Sequence, residues 1–244
     1  MNEKKDEITC KWCKVSLPPS HEGPCPKCGK NEGTVSLESR RFFFGHYALD
    51  HFVAPRISEL KECHIPEVPN FENRSGSWVT CLILNCILRR PAKPMIKQYI
   101  FFFLRRAEAA FHEYENARHF LLDYVRGDRE RISIYFKALF HFEICIAQMW
   151  QAFRMTMSTG HRITGKKKKL YEPGDGSSYE RLNKLYNLSR YLQNNVQGIQ
   201  NDSTIQLWLT RDGIEAQDAS ISYAELASLL QQIGNWADVL LKAT

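Results

Sequence analysis

The chain has 244 residues, 33 Lys and Arg against 27 Asp and Glu, a net charge of +6, and 43% apolar residues. That balance excludes a disordered or low-complexity chain and fits one medium domain with a small appendage. Residues 1–7 are charged and run straight into a cysteine pair, which argues against a secretory leader and for a reducing, cytoplasmic setting.

The first element is a pair of Cys-x2-Cys turns, Cys10-Lys-Trp-Cys13 and Cys25-Pro-Lys-Cys28, eleven residues apart. Each turn points two thiolates at one ion, and together they supply the four ligands of a tetrahedral Zn2+. Four sulfurs leave no open position, so the expected zinc is structural. It would fold a ribbon over residues 1–40, a length too short to be stabilised by apolar burial alone. Pro26 and Gly29 suit a turn whose amides donate to the thiolates. A disulfide framework or a redox pair is the rival reading, and His21 is an alternative fourth ligand. Cys63, Cys81, Cys86 and Cys145 lack such spacing and read as small apolar residues.

Residues 41–244 read as a helical domain. The pattern predicts a first helix over 43–61, bent at Pro55, and an irregular insertion near 65–95 holding one buried strand or short helix. Within it the apolar run 78–88 is too short to span a membrane, since about 20 residues are needed and Asn85 interrupts it. A long amphipathic helix follows over 95–125, and another over 129–157. In the second, Tyr135, Phe136, Leu139, Phe142, Ile146, Trp150 and Phe153 are expected inside, with Ser133, Lys137, His141, Gln148 and Gln151 on the wet face. Ser177 with Glu180 makes a capping box for a helix over 178–196, and Ser222 with Glu225 another for a last helix over 223–242. Between them, alternation in 204–210, a turn at Arg211-Asp212-Gly213 and Ile221 predict a hairpin. The expected fold is mainly α: an up-and-down helical bundle with a minor C-terminal β-hairpin, preceded by a small zinc ribbon.

Charge is segregated along the chain. No acidic residue occurs from Arg74 to Arg106, a stretch with seven basic ones including Arg89 and Arg90. A second basic cluster runs from Arg154 through His161 and Arg162 to Lys166, Lys167, Lys168 and Lys169. Clustered Lys and Arg suit phosphate, so Arg89, Arg90 and Lys166 to Lys169 are the candidate contacts to RNA or DNA, with a solvated loop as the plain alternative. On the first long helix, Glu108, His112, Glu115, His119 and Asp123 recur every three or four residues. That spacing makes either a salt-bridged surface or a polar face able to bind metal or move protons.

Residues 97–197, through Tyr135-Phe-Lys-Ala-Leu-Phe-His141-Phe-Glu143 and Glu180-Arg-Leu-Asn-Lys-Leu-Tyr-Asn187-Leu-Ser-Arg190-Tyr191, resemble the HEPN superfamily of small helical bundles. The resemblance implies an RNA-cutting toxin or defence protein whose site is an Arg and a His four to six residues apart. On the matching helix Arg190 is followed by Tyr191, and no His lies downstream. Arg154 with His161, Arg106 with His112 and Arg41 with His46 fit the spacing elsewhere. Arg154 and His161 are the preferred catalytic pair, because they fall beside the basic loop. A metal-independent ribonuclease would use His161 for proton transfer and Arg154 for phosphorane charge.

Two functional expectations follow. One is a macromolecule-binding module, ribbon plus bundle, that recognises a nucleic acid or a partner protein, with no membrane association and with homodimerisation through the helical face open. The other is the HEPN-like ribonuclease. No Gly-rich phosphate loop, Gly-x-Ser-x-Gly elbow or His-Glu-x-x-His motif supports a common nucleotide-binding or hydrolase chemistry.

Overall fold

The structure is a computed structural model, and it describes residues 8–10, 14–17, 27, 46–68, 71–88, 94–127, 132–166, 168–190 and 207–242. The chain divides into two compact units, Met1–Phe42 and Phe43–Thr244.

In the first unit, β1 (Ile8–Thr9) pairs antiparallel with β2 (Ser16–Leu17), Ile8 opposite Leu17. The turn between them closes where the Cys10 amide donates to the Val15 carbonyl and the Lys14 amide donates to the Cys10 carbonyl, both at 2.8 Å. Lys14 sits at φ 56°, a left-handed position that costs a side chain some strain. Cys13, Cys25 and Cys28 lie outside the described residues.

The second unit is an antiparallel helical bundle. Helices α3 (Pro94–Arg126) and α4 (Ile132–Thr164) have 33 residues each and pack along their lengths. Their antiparallel register is fixed by Tyr124 against Tyr135, Tyr114 against Phe142 and Arg106 bonded to Gln148. Each carries an apolar stripe at 3.6-residue spacing: Phe103, Ala107, Ala110, Tyr114, Ala117 and Leu121 on α3 are buried against Tyr135, Ala138, Phe142, Cys145, Met149 and Phe153 on α4. The stretch Ile132–Arg162 of α4 is long and apolar enough to cross a membrane by length and composition. Here it serves as the central helix of the core.

Ahead of this pair stand α1 (His46–Phe52) and a 3-10 helix, Ile57–Glu62, in place of one bent helix. Asp50 explains the break: its carboxylate accepts from the Ser58 amide at 2.9 Å and from the Ser58 hydroxyl at 2.6 Å, starting a new turn after Pro55. The Tyr114 hydroxyl donates to the Pro66 carbonyl at 2.8 Å, and Arg118 pairs with Glu67, tying residues 65–67 to α3.

The irregular insertion expected near 65–95 is corrected. An 18-residue helix, α2 (Phe71–Leu88), occupies it and packs on α3 and on the last helix through buried Trp78 and Leu82. No proline falls within α2, and Pro94 is the first residue of α3, where a missing amide hydrogen is tolerated.

Helix α5 (Ser178–Arg190) lies on α4; the 191–196 part of the predicted helix is outside the described residues. The expected hairpin is a three-stranded antiparallel sheet, β3 (Leu207–Leu209), β4 (Gly213–Ala216) and β5 (Ser220–Ser222), in sequential order. Helix α6 (Tyr223–Lys242) starts directly from β5, with Ser222 and Glu225 completing a reciprocal capping box at 3.0–3.1 Å. This C-terminal layer covers α4: the Tyr135 hydroxyl accepts from the Leu209 amide at 3.0 Å, Tyr223 packs on Phe142, and Trp236 packs edge-on against Phe153.

Candidate functional site

A groove of about 640 Å3 runs between α4 and α5. Glu143, Ile144, Ala147, Gln151, Arg154 and Met155 line it from α4, and Tyr186, Ser189 and Arg190 from α5. On α4 the lining residues Glu143, Ala147, Gln151 and Arg154 recur every three or four positions, which keeps one face of the helix turned to the groove. The opposite face carries the core residues Tyr135, Phe142, Ile146, Met149 and Phe153.

Helix α5 is held in place by an anchored loop. Gly174 (φ 84°) and Gly176 (φ 66°) occupy the left-handed region, which glycine enters without a Cβ clash. Their amides donate to the two oxygens of the buried Glu180 carboxylate, each at 2.8 Å, and these bonds hold its pKa below the ordinary value. The Ser177 hydroxyl accepts from the Glu180 amide at 3.3 Å, so half of the predicted capping box forms. The other half is diverted, because the Ser177 amide donates to Asp175 and the Glu180 side chain reaches the glycines. Leu182, Leu185 and Tyr186 then bury against α4, with the Tyr186 ring 6.3 Å from that of Trp150 and Tyr179 edge-on to Phe153.

Glu143 and Arg154 give the groove its chemistry. Neither forms a hydrogen bond or ion pair through its side chain among the described residues. Burial pushes the Glu143 carboxyl from 4.5 up to about 7. Arg154 is exposed, and Arg190 donates to the Tyr186 hydroxyl at 2.7 Å with its guanidinium 5.9 Å from that ring. The groove thus presents guanidinium groups from two helices, a carboxyl near the middle of its titration at neutrality, and an apolar wall of Ile144, Ala147, Met155 and Tyr186.

The other sequence candidates are scattered. His161 is in the last turn of α4, exposed, and outside the groove lining; seven residues from Arg154, it lies about 10 Å further along the helix axis. Helix α4 continues to Thr164, so His161 stands in its last turn and Arg154 about two turns earlier, within the helix. Gly165, at φ 70°, closes that helix with its amide on the His161 carbonyl. Lys166, Lys168 and Lys169 are exposed beyond it, and Lys169 pairs with Glu172 at 2.8 Å. Arg89, Arg90 and Lys167 lie outside the described residues. On α3, the polar face is a surface: His119 and Asp123 pair in the open at 3.2 Å, Glu115 faces Arg118 at 3.8 Å, and His112 is exposed. Among the described residues no three His, Cys, Asp or Glu side chains converge on a common point.

Two acids that the sequence did not mark as functional, Glu113 and Glu143, prove to be set apart. Glu113 bonds His141, a residue placed on the wet face by its spacing. Gln148, from the same predicted face, bonds Arg106 at 2.7 Å, and Phe136, expected inside, is exposed. For Glu143 a sequence signal existed: it is a lone charge in the apolar run from Phe140 to Ile146, apart from His141. No family model, curated protein or solved structure matches this chain.

Proposed function

We propose that this chain is a cytoplasmic zinc-ribbon protein whose helical unit binds single-stranded nucleic acid along the α4/α5 groove. The observation that carries the reading is Arg154, a guanidinium without an ion partner among the described residues, opening with Arg190 onto one groove. Phosphate prefers such planar, donor-rich groups, and the basic residues from Arg162 to Lys169 extend positive charge beyond it. An apolar wall beside cationic groups suits bases and phosphates together, as single-strand binders require.

The ribbon belongs to the same proposal. Cys10, Cys13, Cys25 and Cys28 would hold a structural Zn2+. The hairpin bonds around Cys10 and the left-handed Lys14 support it, since Lys14 takes after the first pair the place that Gly29 takes after the second. Bound zinc would contribute folding energy to this unit, and no chemistry.

A HEPN-like ribonuclease is the second reading, favoured by Arg190, on the helix that carries the resemblance, facing the same groove as Arg154. Both readings meet one experiment: binding and cleavage of a labelled 20-nucleotide single-stranded RNA by the purified, zinc-loaded chain, at several salt concentrations and with chelator. Arg154→Ala is expected to weaken binding and flatten its salt dependence. Cleavage lost in both Arg154→Ala and His161→Ala would select the ribonuclease. Wild-type protein that neither shifts nor cuts RNA would end both.

A further inference from the structure

We infer that the groove reads a base as well as a phosphate: Glu143 accepts two adjacent N–H donors from the edge of a guanine, while Arg154 holds a phosphate of the same strand. The inference rests on the strand-binding reading of this groove.

The two side chains are three helical turns apart on one face of α4, about 16 Å along the axis, with Ala147 and Gln151 between them. One is a cation and the other an acid that is an anion once ionised, and they leave each other unpaired, so a ligand that satisfies both must offer donors at one end and an anion at the other. An acidic peptide would suit the arginines and set its carboxylates against Glu143. A basic peptide would do the reverse. A strand offers both, phosphate and base edge, with an aromatic face for the wall formed by Ile144, Met155 and Tyr186.

An ionised carboxylate only accepts hydrogen bonds. Guanine alone presents two neighbouring donors, N1–H and the 2-amino group, on its pairing edge. Adenine and cytosine place a ring acceptor beside their amino group, and uracil flanks its one N–H with two carbonyls. A bare carboxylate in a groove of this kind therefore discriminates by repulsion as well as by attraction. Glu143 is half-buried, so water screens it in part only, and a guanine edge donating two hydrogen bonds would favour its ionised form over the protonated one.

The test uses the full zinc-loaded chain and labelled eight-nucleotide RNAs of uridine with one central guanosine, inosine or adenosine, read by fluorescence anisotropy. Inosine lacks the 2-amino group and nothing else. Guanosine is expected to bind about tenfold tighter than inosine or adenosine, within the range of a bidentate base contact. Glu143→Gln, close in shape and verified as folded by circular dichroism, should bring the guanosine-to-inosine ratio to about one. Arg154→Ala should weaken all three RNAs by a similar factor. RNA binding with a wild-type ratio near one, or a ratio unchanged in Glu143→Gln, overturns base reading and leaves strand binding standing. An acidic peptide that competes as well as the guanosine RNA also overturns it. Absence of binding to any RNA removes the strand reading together with this one.

Discussion

Nδ1 of His141 on α4 lies 2.5 Å from Oε2 of Glu113 on α3, a polar clasp between the two longest helices. The imidazole donates, the carboxylate accepts, and Phe120 stacks on the imidazole at 5.2 Å with the rings 9° from parallel. Both partners are about one-fifth exposed, so water screens the pair only in part. A double-mutant cycle with Glu113→Gln and His141→Phe, followed by urea unfolding, should return a coupling of about 1 kcal/mol or more. Strictly additive losses would show that the clasp adds nothing.

Trp150 is buried between Tyr171 and Tyr186, whereas Lys137 is exposed and Gln148 is bonded to Arg106. Trp150→Ala should cost about 3–5 kcal/mol, Gln148→Ala about 1, and Lys137→Ala about 0.5 or less. Thermal or urea unfolding of the three variants checks the order, and equal losses would contradict the helical phase of α4.

Two glutamates should tilt the stability curve in opposite directions. Glu143 has its pKa raised from 4.5 to about 7, so its protonated form is favoured on folding; stability is full below 4.5 and declines as pH rises through about 7. Glu180 has its pKa lowered by the Gly174 and Gly176 amides, so its contribution is present above 4.5 and lost as pH falls below that. Urea midpoints from pH 3 to 8 should show Glu143→Gln removing the decline above 4.5 and Glu180→Gln removing the loss below it. A Glu143→Gln curve parallel to wild type would refute the first assignment.

Replacing Cys10, Cys13, Cys25 or Cys28 by Ser should reduce bound zinc from one per chain to well below one, measured by metal analysis after dialysis. Full stoichiometry in all four variants would rule out a shared four-sulfur site. Lys14→Gly should leave the zinc content at one, since it relieves the left-handed backbone without touching a ligand.

Gly213 opens β4 with no room for a side chain: a Cβ there would run into the Ile221 carbonyl and the Ser222 backbone. Gly213→Ala should therefore cost about 3 kcal/mol or more, unusual for a strand-edge glycine. A loss below about 1 kcal/mol would mean that β4 and β5 separate more easily than their pairing implies.

Helices α3 to α6 were legible because each advertises itself locally, by an apolar stripe, a capping Ser or a closing Gly such as Gly127. Helix α2 was not, because Gly76, Asn85 and the prolines at 66, 69, 91 and 94 look like interruptions in a linear reading. In the structure α2 contains none of these prolines, Pro94 opens α3, and Trp78 and Leu82 find a core to enter. The polar partners were hidden for a different reason. Spacing along α4 separates a wet face from a dry one, yet whether His141 and Gln148 meet water or the acceptors of α3 depends on a residue 28 or 42 positions away. Glu143 likewise acquires meaning only from α5, which closes the other side of its groove.

The aromatic face of α4 is sealed by residues made after it. Tyr135, Phe142 and Phe153 wait for Leu209, Tyr223 and Trp236 respectively. During synthesis the helical hairpin of α3 and α4 can form early, since its contacts are close in sequence order. It then emerges from the ribosome with a sticky seam uncovered for about eighty residues of translation, a span that invites chaperone binding or aggregation until β3 to α6 arrive. Expression of this protein should thus be governed by how fast its last segment is delivered, more than by the stability of the finished fold.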